Sequence, residues 1–188
     1  MKSSTEADAA LADATLFTTL DRATQEREFD RLLAANGPAL ARLAASYTNT
    51  GSDRDDLLQE IALALWQALR TFRGECSPRT FLFRIAHNRA IAYLARSRAR
   101  WPAAEADAHE VRDTAPDPES GLAREQSAAR LRRAIHGLPL GYRQAIMLAL
   151  EDMDYGEIAE VLGISESNVG ARLTRARQLL RESLEKRK

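Results

Sequence analysis

Apolar side chains recur along this chain at helical spacing, and β-branched residues are scattered, so the pattern predicts an all-α protein. Phe29, Leu32 and Leu33 share one side of a first helix, from about Gln25 to Asn36, which Gly37-Pro38 is expected to interrupt. A second helix follows to about Tyr47. After the loop at 48–52, Asp53 or Asp55 can begin a third helix, whose stripe is Leu57, Ile61, Leu65 and Leu69 and which ends near Arg73-Gly74. Ser77 is then a good N-cap, with Pro78 at the first helical position, where its missing N–H costs nothing. That helix runs to about Arg100. Leu82, Ile85, Ala86 and Leu94 can face the core, leaving Arg84, Asn88, Arg89 and Arg96 for other faces.

Periodicity lapses between about Pro102 and Gly121, where Pro102, Pro116 and Pro118 stand among acids and alanines. This reads as a flexible linker between two small helical domains. The boundaries predicted are an N-terminal extension at 1–25, acidic and mobile or loosely helical by composition; a first domain at 26–101; the linker at 102–121; and a second domain at 122–188. The second domain continues through Leu131, Ile135 and Leu138 to Pro139, then from Tyr142 to Leu150.

The segment Tyr155 to Arg177 has the spacing of a helix-turn-helix. Ala159 is small enough for two helices to approach, Gly163 tolerates the turn, and Val169 plugs the second helix into the first. Ile164, Val169 and Leu173 form the inner face of that second helix, and Ser165 is placed to cap it. Ser167, Gly170, Ala171, Thr174 and Arg175 fall on or beside the outer face, which is small and polar enough to enter a major groove. The ligand expected is double-stranded DNA; the alternative is an Arg-rich surface helix of a protein-binding module.

A formal net charge of zero argues at first against a nucleic-acid ligand, but the charge is segregated. Residues 66–101 hold eight Arg and one acid, Glu75, while 102–127 hold two basic and seven acidic residues. Residues 172–188 then carry seven basic against two acidic. Two basic segments around an acidic one suit two separate contacts with nucleic acid. In the first of them, Phe72 to Leu94, aromatics alternate with Arg, a combination that can stack on unpaired bases and hold their backbone. The competing assignment places Phe81, Phe83 or both in the core.

With these residues in view, the chain resembles the extracytoplasmic-function sigma factors of the sigma-70 family. Three blocks in order carry the resemblance: Asp55 to Leu69, Phe72 to Leu94, and Leu138 to Leu148 running into the turn motif. It implies a dissociable specificity subunit of RNA polymerase, made of a sigma-2 helical bundle and a sigma-4 helix-turn-helix domain. By position, Asp56, Gln59, Glu60 and Trp66 are implied contacts with core RNA polymerase. Arg73, Ser77, Arg79, Arg84 and Asn88 are implied at the promoter −10 element, which the family melts to capture a flipped base, Asn88 in the base pocket. Extruding a base costs a few kcal/mol, which local contacts must offset. Arg143, Ser167, Asn168, Gly170, Ala171, Arg172 and Arg175 are implied at the duplex −35 element. Gly170-Ala171 departs from the basic residue and Ser common in relatives, which shifts base readout toward Arg172, Arg175 or DNA shape. The acidic linker either opposes phosphate in the channels of the polymerase or is simply kept extended by its own charge. An anti-sigma factor is a further implied partner.

The three histidines, His87, His109 and His136, lack metal-ligand spacing, and no Gly-rich phosphate loop or aligned nucleophile occurs, so no enzyme activity and no cofactor are expected. Cys76 is alone, and no apolar run is long enough to insert in a membrane, which favours the cytoplasm. Two other functions fit parts of the pattern. A stand-alone helix-turn-helix regulator leaves the two N-terminal blocks unexplained, and a protein-interaction adaptor leaves the Arg-rich outer faces unexplained.

Overall fold

The structure, a computed structural model, describes residues 21–100 and 121–185. The predicted extension and linker therefore lie largely outside the described residues. Among these there are seven helices and no strand: α1 (Arg22–Ala45), α2 (Gly51–Leu69), α3 (Pro78–Arg100), α4 (Gly121–His136), α5 (Leu140–Ala149), α6 (Tyr155–Leu162) and α7 (Glu166–Glu185). The all-α class is as the periodicity predicts.

One expectation fails in α1. Gly37-Pro38 does not divide it, and Pro38 lies inside a continuous helix whose N-cap is Asp21, accepting from the Thr24 N–H. Interior proline normally costs about 3 kcal/mol or more. Here Leu32 before it and Ala39, Leu40 and Leu43 after it are all buried, and packing of that stripe holds both sides to one helix. The Asn36 side-chain amide also donates to the Leu32 carbonyl across the same turn, at 2.9 Å.

The start of α2 moves as well. Thr50, in extended backbone, accepts the Asp53 N–H at 3.1 Å and is the N-cap in place of Asp53 or Asp55. Asp53 sits instead in the first turn, where its charge opposes the positive end of the helix. The helix ends at Leu69, ahead of Arg73-Gly74, and Gly74, at φ 73°, turns the chain toward α3. There Ser77 caps as predicted, its Oγ accepting the Thr80 N–H at 3.0 Å.

Helices α1, α2 and α3 pack on one another around Leu43, Leu57, Ile61, Leu65, Leu82 and Phe83. Helices α4 to α7 form a second body around Ala145, Leu148, Ile158, Val169 and Leu173. The two bodies touch. Helix α6 lies against α3, and the apolar residues of both belong to a single buried cluster.

Candidate nucleic-acid and polymerase surfaces

The turn motif is built by capping. Asp154 accepts the Glu157 N–H at 2.8 Å while the Glu157 carboxylate accepts the Asp154 N–H at 3.0 Å, a reciprocal box that fixes the start of α6. Gly163 ends that helix in the left-handed region at φ 64°, where a side chain would be strained. Ser165 Oγ accepts the Asn168 N–H at 3.3 Å and opens α7. Val169, Leu173 and Ala176 are then fully buried, which turns Ser167, Asn168, Ala171 and Arg175 outward, all exposed.

Local hydrogen bonds align the polar outer face of α7. Asn168 Oδ1 accepts from Arg172 Nε at 2.9 Å, and Arg175 donates to Gln178 at 2.8 Å. Both partners are neutral, so the positive charge of these arginines is not cancelled within the helix. Gly170 and Arg172 are half-buried. A Cβ at Gly170 would stand 3.5 Å from the Tyr155 ring, and one at Gly141 would stand 3.4 Å from the Arg172 guanidinium. Tyr155, itself 44 % exposed, therefore borders the face that Gly170 leaves low. Periodicity had not singled it out, because the first position of a helix carries little phase information.

On α2, Leu57 and Ile61 are buried as expected, and Asp56 and Gln59 are exposed. The other two polymerase candidates are engaged within the first body. Arg96 donates twice to Glu60 at 2.7 Å, and Trp66 meets Phe29 edge-on at 5.3 Å while its carbonyl accepts from Gln25. Between them Leu63 is 59 % exposed. The sequence does carry a signal for it: Leu63 is a large apolar residue out of phase with the Leu57, Ile61, Leu65 stripe.

The candidates for unpaired DNA spread along α3 and the loop before it. Arg73 and Ser77 are exposed. Arg84 lies over the Phe81 ring at 5.7 Å and reaches Cys76 Sγ at 3.8 Å, while Phe81 in turn stacks on Phe72 at 4.5 Å. Phe83 is fully buried, with Arg79 over its ring at 5.2 Å, so of the two aromatics in doubt this one is core. Asn88 is exposed at the rim of a groove of about 290 Å³ that Ala64, Ala68, Ile85 and Arg89 complete. At 1.5 Å per residue it stands roughly 16 Å along the helix from Ser77. Asn88 thus belongs to the seam between α2 and α3, apart from the Arg73–Ser77 loop.

Two arginines of the candidate set face the seam between the bodies. Arg79 donates to Asn36 Oδ1 at 3.3 Å and to the backbone carbonyl of Glu151. Arg143 donates to the Ser46 carbonyl at 3.1 Å and to the carbonyls of His136 and Leu138, and lies 6.0 Å from the centre of the Tyr47 ring. Burial raises the Tyr47 phenol well above its ordinary range, and the nearby Arg143 charge only partly opposes this. Tyr47 meets His87 edge-on at 6.4 Å. Burial, and secondarily the Arg172 charge, depress the His87 imidazole to about 4. His136 is lowered by burial and then by Arg143.

Comparison with known proteins agrees with this division. The sigma-70 region 2 profile matches residues 32–100, and the sigma-70 region 4 profile matches residues 128–180. The RNA polymerase sigma factor CnrH of Cupriavidus metallidurans is 34% identical, over 82% of this chain and 85% of its own length. The ECF RNA polymerase sigma-E factor of Escherichia coli K12 is 30% identical over 82% of this chain and 85% of its own length. Among solved structures, CnrH in complex with the cytosolic domain of CnrY covers 85% of this chain and 89% of its own, at 31% identity and a TM-score of 0.64. The sigma factor RpoE of Bartonella quintana, in complex with the anti-sigma factor NepR, shares the fold with a TM-score of 0.70 at 21% identity, over 85% of this chain and 98% of its own.

Proposed function

The chain belongs to the extracytoplasmic-function sigma factors of the sigma-70 family, and on that premise we propose how its two bodies divide the work of initiation. It is a transcription initiation factor and not an enzyme: it joins core RNA polymerase and directs it to promoter DNA. In the proposed division, residues 26–101 hold the polymerase and the melted −10 strand, and residues 122–188 hold the −35 duplex. The observation that carries it is the outer face of α7, small and polar with Arg175 exposed, set on a capped helix-turn-helix.

Asp56 and Gln59, exposed on α2, take the polymerase clamp, with Glu60 and Trp66 shaping the same face from their internal contacts. Asn88 receives the flipped base at its groove. Arg73, Ser77, Arg79 and Arg84, in the loop before α3 and its first half, steady the strand backbone farther along. Ser167, Asn168, Ala171, Arg172 and Arg175 meet the major groove, Gly170 allows close approach, and Arg143 supports the phosphates. Two moderate contacts on one tether bind jointly far better than either alone, so neither basic surface needs an extreme charge.

Because the Bartonella RpoE was solved with the anti-sigma factor NepR, and CnrH likewise in complex with a second protein, the cytosolic domain of CnrY, an anti-sigma factor is proposed for this chain too. Its place of work is the cytoplasm, where polymerase and chromosome are; among the described residues no helix is long and apolar enough to cross a membrane. Run-off transcription with purified core polymerase on a pool of upstream genomic fragments tests the division. Defined transcripts that depend on this protein are expected. DNA binding without any transcript would favour a stand-alone regulator instead.

A further inference from the structure

Beside its apolar packing, the seam between the two bodies carries a small polar set centred on one turn. Glu151, between α5 and α6, is 6 % exposed, and Arg42 of α1 donates to both of its carboxylate oxygens, at 2.8 and 2.6 Å. Arg79 of α3 donates to the Glu151 backbone carbonyl. The next residue, Asp152, has a φ of 56°, a left-handed conformation uncommon outside glycine, and Met153 beyond it is buried. That backbone reversal leaves Glu151 turned into the seam while Asp152 is exposed.

A guanidinium N–H that is engaged by a protein carbonyl across the seam is not offered to phosphate at the same time. Arg79 and Arg143 each spend one such bond across the seam, Arg79 on the Glu151 carbonyl and Arg143 on the Ser46 carbonyl, and α6 of the turn motif rests on α3. We propose that the Glu151 turn is a self-made latch: it closes the two bodies on each other in a state with reduced affinity for DNA, and its release from Arg42 and Arg79 opens the protein for the promoter. The inhibitory part rests on the assignment of Arg79 and Arg143 as DNA contacts given above. The mechanical part, that Glu151 keeps the bodies together, rests on the ion pair and burial alone.

Closure of this kind suits a reversible switch. A buried carboxylate keeps its place only while its cationic partner is present, because alone it would lose hydration without compensation. Outside the seam both Glu151 and Arg42 are well solvated, so opening exposes no unpaired buried charge. Any partner that holds the bodies together strengthens the closed state, and the competing phosphates of DNA weaken it, in proportion to their preference for one form.

The test uses the full chain labelled for energy transfer through Asp30→Cys and Glu182→Cys in a Cys76→Ser background, with a short fluorescent duplex as the DNA probe. The parent should show one short-distance population. Glu151→Gln and Arg42→Gln should each move most molecules to longer distances and tighten duplex binding at low salt by about fivefold, the gain expected when the competent fraction rises by that factor. The charge exchange Arg42→Glu with Glu151→Arg should restore the short distance. If Glu151→Gln fails to fold, Arg42→Gln carries the test, since that side chain is 58% exposed. Unchanged distances in the folded variants overturn the latch, and longer distances with unchanged DNA affinity overturn its inhibitory role. Protein-dependent run-off transcripts from the parent report on the sigma function separately from either result.

Discussion

Helices α3 and α7 are both rich in arginine, yet they use the charge differently. On α3, Arg96 meets the Glu60 carboxylate, while Arg79 is turned onto Asn36 and the Glu151 carbonyl, neutral groups of other elements, and Arg84 lies over the neutral Phe81 ring. On α7, Arg172 and Arg175 have neutral amide partners on the same helix, Arg175 exposed and Arg172 half-buried. The contrast teaches that a count of basic residues does not locate a DNA surface. A guanidinium turned onto another element of the protein, or matched to a carboxylate, steers little, while one aligned along an exposed helix face by its own neighbours remains available to phosphate. It also fits the two tasks: duplex binding draws on phosphate attraction, whereas a melted strand needs shaped grooves such as that at Asn88.

The contrast breaks most completely if α7 loses its seat. Val169→Asp places a carboxylate in a site with no exposed surface, and a loss of about 4 kcal/mol in the stability of the second body is expected. Thermal unfolding followed by circular dichroism should show that loss, with duplex binding gone and the first body still helical.

Acid should loosen the seam next. The folded-state value of His87, about 4, lies below the ordinary 6.5, so its neutral form is the one that the closed protein holds. Its stabilising contribution is complete above pH 6.5, is lost as the pH falls toward 4, and changes no further below that. The full loss is at most about 3 kcal/mol. His136 shifts the same way and adds to the slope. Denaturant titrations across this range should therefore show stability falling with acid, and His87→Gln should flatten most of the dependence.

A smaller effect separates the two helices by task. Arg175→Ala should weaken duplex binding by roughly tenfold and lower the salt slope by about one, with little change for a pre-melted template. Asn88→Ala should do the reverse, slowing promoter opening by about tenfold while closed binding holds. Equal losses in both assays for either variant would remove the distinction. The smallest effect on stability is expected at Leu63, whose side chain is 59 % exposed: Leu63→Ser should change it by less than about 0.5 kcal/mol. Affinity for core polymerase, measured by competition, should nevertheless fall.

Helix class, the Ser77 cap and the turn motif were legible in the sequence because each rests on short-range chemistry: a capping hydroxyl, a glycine at positive φ, an apolar stripe. Continuity through Pro38 was not, because burial on both sides of the proline is a tertiary fact that overrides a local breaker. Phe83 was ambiguous for the same reason, since alternation of aromatics with arginine cannot say which ring is enclosed. Trp66 and Glu60 were correctly placed on α2, but their partners, Phe29 and Arg96, come from helices distant in sequence. The seam at Glu151 left no mark at all: an acid in a turn reads as solvated until Arg42, from the other body, is brought beside it.

The division between the two bodies is tested most directly by mapping strand pairing on a promoter held by this protein and core polymerase. Permanganate, which attacks unpaired thymines, should react across the −10 element and spare the −35 element, while hydroxyl radicals find both protected. Protection confined to one element, or a −10 element that stays paired in a transcribing complex, would contradict two bodies gripping one promoter in two different states.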